Sequence, residues 1–145
     1  MSRLQLALNV SNLEESIAFY TKYFNTPPAK VRPGYANFAI AEPPLKLVLF
    51  ENEQKPGSIN HLGVEVFSTN EVVAATRYFA SQGLETEVED GTVCCHALQD
   101  KVWVHGPDGA RWETYTVLAD ASEPIVVTSD SECCVDATYP ASACC

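Results

Sequence analysis

The sequence predicts an α+β fold made of two βαβββ modules, joined into a cup-shaped mixed sheet with the helices outside. Three observations predict it. The run Gln5-Leu-Ala-Leu-Asn-Val matches His61-Leu-Gly-Val-Glu-Val in order and character. Each run is followed by a capping-box pattern, Ser11-x-x-Glu14 and Ser68-x-x-Glu71, of the kind that opens a helix. Each helix closes near an aromatic pair, Tyr23-Phe24 and Tyr78-Phe79, and strand-like runs parted by turn residues follow. Such a repeat marks a duplicated structural unit.

In order, residues 4–10 alternate an apolar face with a face of Gln5, Ala7 and Asn9, the pattern of a half-buried strand. Leu13, Ile17, Tyr20 and Phe24 stand at helical spacing, so residues 12–25 read as an amphipathic helix. Pro27-Pro28 lies beyond its end. Residues 29–32, 35–40 and 45–50 read as strands separated by Pro33-Gly34 and Pro43-Pro44. In the second copy Val72, Ala75 and Phe79 mark the helix and Gly83 closes it. Strands are expected at 84–88, 101–105 and 111–118, with Pro107-Asp108-Gly109 as the turn before the last. Residues 1–118 are thus read as one domain, with modules of about 1–55 and 56–118. Residues 119–145 carry five acidic residues and no Lys or Arg, half of the chain's net charge of −10. They read as a flexible acidic tail.

The same charge argues against nucleic acid or an anionic membrane surface as partner. No apolar run approaches a membrane span, and the N-terminus enters a strand pattern at once, so the expected compartment is the cytoplasm. Both halves of the cup lie on one chain, which suits a monomer or a homodimer.

The six cysteines occur as adjacent pairs: Cys94-Cys95, Cys133-Cys134 and Cys144-Cys145. Neighbouring Cα atoms lie about 3.8 Å apart, whereas a relaxed disulfide spans roughly 4.4–6.8 Å. In a reducing compartment such pairs are expected to be thiols, which chelate soft ions. Cys94-Cys95 follows Asp90-Gly91 and is read as lying on an exposed loop of the second module, where inert buried thiols would be out of place. His96 is a further soft-metal donor or a polar loop residue. His105, on a strand, is given no role. The two tail pairs are scavengers, delivery thiols or without role.

Duplication brings matching positions of the modules together. The first strands offer Gln5 and His61, and the last strand offers Glu113. The counterpart of Glu113 in the first module falls near Leu47. Taken singly, Gln5 is an edge-strand polar residue, Glu113 a surface charge and His61 a structural histidine. Together, at related places, they form a set able to hold Fe(II), Mn(II) or Zn(II) with coordination positions to spare. Lys101 and Tyr115 are polar groups that line the cup or serve structure.

These residues resemble a known family. The βαβββ repeat with donors on the first, fifth and last strands is similar to the vicinal oxygen chelate superfamily of glyoxalases, extradiol dioxygenases and fosfomycin-resistance proteins. Within it, the match is closer to bacterial organoarsenical carbon–arsenic lyases and cadmium-induced proteins. The residues that carry it lie in 4–10, 30–38, 60–65, Cys94-Cys95, 99–104 and Trp112-Glu113. The resemblance covers about residues 2–118. It implies an Fe(II)-dependent dioxygenase that uses O2 to cleave the C–As bond of trivalent organoarsenicals, releasing inorganic As(III). It implies iron on Gln5, His61 and Glu113, and arsenic on Cys94 and Cys95. Gly106 departs from the family's usual Asp in the Pro107-Asp108-Gly109 turn, away from the chemistry. The competing readings are a non-catalytic cadmium- or arsenite-binding resistance protein, and a ring-cleaving dioxygenase, which would not need Cys94-Cys95. A glyoxalase-type isomerase would want a fourth protein ligand.

Overall fold

The computed structural model describes residues 2–94 and 96–120. Its elements run β1 (Arg3–Val10), α1 (Leu13–Phe24), β2 (Lys30–Arg32), β3 (Tyr35–Ile40), β4 (Leu45–Glu51), β5 (Ile59–Glu65), α2 (Thr69–Ser81), β6 (Glu87–Cys94), β7 (Ala97–His105) and β8 (Arg111–Asp120). The strands form one sheet in the order β2-β3-β4-β1-β5-β8-β7-β6. Read outward from the centre, the halves are β1-β4-β3-β2 and β5-β8-β7-β6, so the same βαβββ unit is used twice. β1 and β5 join antiparallel at the centre, while β1–β4 and β5–β8 are parallel. The result is a curled mixed sheet, a half-barrel with two helices, as the repeat predicts.

Side-chain alternation divides the sheet into two faces. Ala36, Phe38, Leu47 and Leu49 join Val10 and Leu13 in a buried cluster against which Leu6, Leu8, Ile17, Tyr20 and Phe24 pack, so this face receives α1. Val66, Val72 and Val102, with Val64 and Phe79, form the equivalent layer under α2. The opposite, concave face is left to Gln5, His61, Lys101 and Glu113.

Both helices end where local chemistry ends them. Asn12 caps α1, its side chain accepting from Glu15 N at 2.9 Å. The expected cap, Ser11, is displaced by one residue because an amide oxygen is as good an acceptor as a hydroxyl. Asn25 turns left-handed after α1 with φ 48°. The second capping box forms as read: Ser68 Oγ accepts from Glu71 N at 3.3 Å, and Glu71 Oε2 accepts from Phe67 N at 3.0 Å. Gly83, φ +76°, closes α2, with Leu84 N donating to Phe79 O.

Three strands differ from expectation. β6 runs over 87–94 and β7 begins at Ala97. Asp90-Gly91 does not break β6. Gly91, φ +60°, is absorbed where the β6–β7 register shifts between Glu89 and Thr92, and its N–H donates to Asp100 Oδ1 at 2.7 Å. β8 extends through Asp120, so residues 119–120 of the expected tail are strand. Residues 121–145, with Cys133, Cys134, Cys144 and Cys145, lie outside the described residues, as does Cys95. No helix among the described residues is long and apolar enough to cross a membrane.

Candidate metal centre

Register explains why three distant residues meet. Gly63 on β5 is paired to Gln5 on β1 and to Glu113 on β8, so Gln5, Gly63 and Glu113 form one row across three strands. The neighbouring row, related by the duplication, is His61, Ala7 and Val48. The first-module counterpart of Glu113 is therefore Val48 and not Leu47. Leu47 has the opposite parity and packs under α1. The fourth place in the symmetric set remains apolar, since Val48 is buried on the concave face.

Gln5, His61, Glu113 and Lys101 are each at most 4% exposed. Gln5 Nε2 donates to Glu113 Oε1 at 2.6 Å and lies 3.1 Å from His61 Nε2. His61 Nε2 lies 3.2 Å from the same Glu113 oxygen. Three donor groups thus converge within hydrogen-bond distance. Lys101 Nζ donates to the other carboxylate oxygen of Glu113 at 3.1 Å. Burial alone would raise the Glu113 carboxyl, but the Lys101 ammonium and the hydrogen bond with His61 outweigh it and push the pKa down to about 2. Glu113 is accordingly an anion at any ordinary pH. Tyr115 donates to Gln5 Oε1, and burial drives its hydroxyl well above its usual range.

This donor set fits a divalent metal. A carboxylate, an imidazole and an amide are hard and borderline donors suited to Fe(II), Mn(II) or Zn(II). His61 Nδ1 lies 2.8 Å from Asn60 Oδ1; with Nδ1–H donated there, a bound metal would take the place of the Nε2 proton that Glu113 otherwise accepts. Asn60 is steadied in turn by Asn9, whose amide bonds Ser58. The Gln5 amide group lies between two acceptors, where a cation would be favoured. Rotating the amide presents Oε1 to a metal and the NH2 to Tyr115, whose hydroxyl accepts as well as donates. Among the described residues no three His, Cys, Asp or Glu side chains gather. Beside His61 and Glu113, the further polar group within hydrogen-bond distance of both is the amide of Gln5.

The site opens into a small cavity of about 20 Å³ lined by Tyr35, Lys46, Val48, Phe50 and Gln99 beside the four polar groups above. Such a space holds about one water-sized atom. Cys94 is 5% exposed and packs with Ala7, Tyr35, Val48 and Phe50, three of which line that cavity. Its predicted place on an exposed loop is corrected: it ends β6 with its side chain turned into the cup. Cys94 is disulfide-bonded, so capture of a soft ion requires reduction first. His96 follows with φ 64°, its ring 5.6 Å from that of Tyr35, and Lys30 Nζ donates to its carbonyl at 3.2 Å.

The residues matched by a family model decide the lineage: 3–114 match that of the glyoxalase/bleomycin resistance protein/dioxygenase superfamily. The chain belongs to this superfamily. It is 64% identical over 121 residues to the cadmium-induced protein CadI of Mycobacterium tuberculosis, covering 83% of this chain and 80% of that one. It is 56% identical over 135 residues to the trivalent organoarsenical cleaving enzyme of Thermomonospora curvata, covering 92% and 89%. The Mn(II)-bound glyoxalase of Novosphingobium aromaticivorans shares the fold at TM-score 0.60 and 16% identity, over 88% of this chain and 44% of that one.

Sequence reading missed Tyr35, Lys46, Asn60 and Gln99. Lys46 is a partly buried cation whose pKa is lowered by desolvation, 3.7 Å from Glu65 and 5.1 Å from the centre of the Tyr115 ring. All but Asn60 lie on concave-facing positions, a pattern that strand alternation encodes.

Gly63 is the tightest constraint on the centre. A Cβ there would stand 2.9 Å from Glu113 Cγ, 3.2 Å from Glu113 O and 3.5 Å from Gln5 Cβ. Gly63→Ala therefore pushes Glu113 out of line. Its Mn(II) affinity, measured by titration, is expected to fall at least about tenfold while the far-ultraviolet circular dichroism is kept. Unchanged affinity would show that Glu113 is not a ligand.

Proposed function

We propose that the protein is an Fe(II)-dependent dioxygenase that cleaves the carbon–arsenic bond of trivalent organoarsenicals and releases inorganic As(III). One observation carries this reading: a carboxylate, an imidazole and an amide converge on a cavity whose wall also packs Cys94. The relative named a trivalent organoarsenical cleaving enzyme, which aligns over 92% of this chain, supports it.

Gln5, His61 and Glu113 hold the metal, and Asn60 fixes the tautomer of His61. When bound, Fe(II) supplies the centre at which O2 is activated. The reduced thiols of Cys94 and Cys95 take the two exchangeable positions of an organoarsonous acid and release two waters. The single carbon substituent is then left as the exposed group. Soft sulfur selects trivalent arsenic, and hard oxygen ligands are left to the metal. Phe50 and Val48 keep the approach apolar and exclude water, while Lys101 holds the free oxygen of Glu113. The thiols contribute orientation, since a bond held beside the metal reacts as a neighbour and not by encounter. The proposal places the protein in the cytoplasm, as a monomer or a homodimer, since both halves of the cup lie on one chain.

The relative named for cadmium induction favours a second reading, in which the thiols bind Cd(II) or As(III) without turnover. Reduced protein loaded anaerobically with Fe(II), then given O2 and methylarsonous acid, decides between them. The proposal expects inorganic As(III). Stoichiometric retention of intact methylarsenical would leave the binder.

A further inference from the structure

Among the described residues, Gln99 Oε1 is the buried side-chain polar atom with no hydrogen-bond partner. Gln99 is 6% exposed, and it lines the cavity that contains Gln5, His61 and Glu113. A buried amide oxygen without a donor is costly and uncommon, so it asks for one. Its place on β7 is specific. Ala97 is paired to Cys94 and Lys101 reaches Glu113, and Gln99 stands between them on the same face. Alternate residues of a strand are roughly 6.6–6.8 Å apart, so Gln99 lies midway between the thiol end and the metal end of the cup. The β7–β8 register shifts between Leu98 and Gln99. The extra residue is Leu118 on β8, so β7 keeps its alternation and Gln99 faces the cup with Ala97 and Lys101.

We propose that Gln99 Oε1 accepts a hydrogen bond from an O–H group held in this cavity. That makes Gln99 a positioning residue between the thiols and the metal ligands. Two sources carry this chemistry. One is the water that completes the metal's coordination. The other is the arsenic-bound hydroxyl of an organoarsonous acid, which persists after the first thiol has displaced the other hydroxyl as water. The second source rests on the organoarsenical reading above, and the first does not. The acceptor matches either, because the cavity is about the size of one oxygen. Lys101, the nearest cation along β7, already donates to Glu113.

The test has two arms, each comparing wild type, Gln99→Leu and Gln99→Glu. In the first, Mn(II)-loaded protein without arsenical is studied by water-proton relaxation. If the held group is metal water, Gln99→Leu shortens its residence by about 2- to 10-fold, the span of one neutral hydrogen bond. In the second, reduced metal-free protein is mixed with phenylarsonous acid, and association is followed by tryptophan fluorescence. If the held group is the arsenic hydroxyl, Gln99→Leu slows association by a similar factor. In either arm Gln99→Glu, which retains an acceptor at the same reach, restores the wild-type value. A purely structural role would lower thermal stability without moving either rate. A change in one arm identifies the source of the hydroxyl, and changes in both assign both. No change in either arm, or a change that Gln99→Glu leaves unreversed, overturns the proposal. Should wild type take up no arsenical, the organoarsenical reading falls and the first arm alone decides the role of Gln99.

Discussion

His61→Ala is expected to lose at least about 100-fold in Fe(II) or Mn(II) affinity while still capturing a trivalent arsenical through its thiols. Changing only an outer partner of a metal ligand typically costs 10- to 100-fold, so removing a buried ligand should cost no less. Among the described residues no further His, Cys, Asp or Glu gathers with Glu113 to substitute for it. Glu113 is tied to Lys101, and the symmetric fourth place is Val48. Cys95→Ser is expected to do the reverse. Two thiolates on adjacent residues bind one arsenic as a chelate, and making the second bond intramolecular is worth about 10²–10⁴ in affinity. Losing one thiol forfeits that factor and leaves the three metal donors on β1, β5 and β8 in place. Titrating both reduced variants with Mn(II) and with phenylarsonous acid gives four affinities. The account expects one large loss per variant, on opposite ligands. Comparable losses of both ligands in both variants would contradict two separate sites.

Lys101→Met is expected to destabilise the metal-free protein by about 3–5 kcal/mol, the usual cost of stripping one partner from a buried ion pair. Lys101 and Glu113 are 1% and 4% exposed at their side chains, so water does little to soften the loss. Glu113 is left as an unpaired buried anion, with only the Gln5 amide and His61 to answer it. A divalent cation replaces the missing charge. Most of the loss should therefore vanish on saturation with Mn(II), and metal affinity should rise by the matching factor, because binding and folding are linked. Urea unfolding with and without Mn(II) measures both quantities. An equal loss of stability with and without metal would place the cation elsewhere than on Glu113.

The duplicated pattern made most of this legible. Gln5 and His61 sit on paired strands of equal sequence character, and Glu113 follows from the last strand of the same unit. What stayed hidden depended on parity and on one glycine. Leu47 and Val48 are both apolar neighbours, and only the strand register reveals that Val48 faces the cup. Gly91 reads as a break, but a left-handed glycine at a register shift lets β6 continue to Cys94. Starting β7 at 101 left Gln99 off the strand. Begun at 97, the alternation Gln99-x-Lys101-x-Trp103 points inward from the sequence alone. Asn60 was invisible because its role arises from the tautomer of the histidine beside it.

The central claim is that the thiols of Cys94 and Cys95 hold the arsenic, while Fe(II) held by Gln5, His61 and Glu113 would supply the activation of O2 that cleavage of the carbon–arsenic bond needs. Methylarsonous acid and one O2 balance to formaldehyde and arsenous acid, with no further reductant. Oxygen uptake and inorganic As(III) release should be measured together, in one vessel, on reduced Fe(II)-loaded protein given methylarsonous acid. The account predicts that the two rise in step, one for one, and that both are lost in His61→Ala and reduced in Gly63→Ala. Arsenite released without oxygen uptake, or oxygen consumed with the arsenical intact, would contradict it.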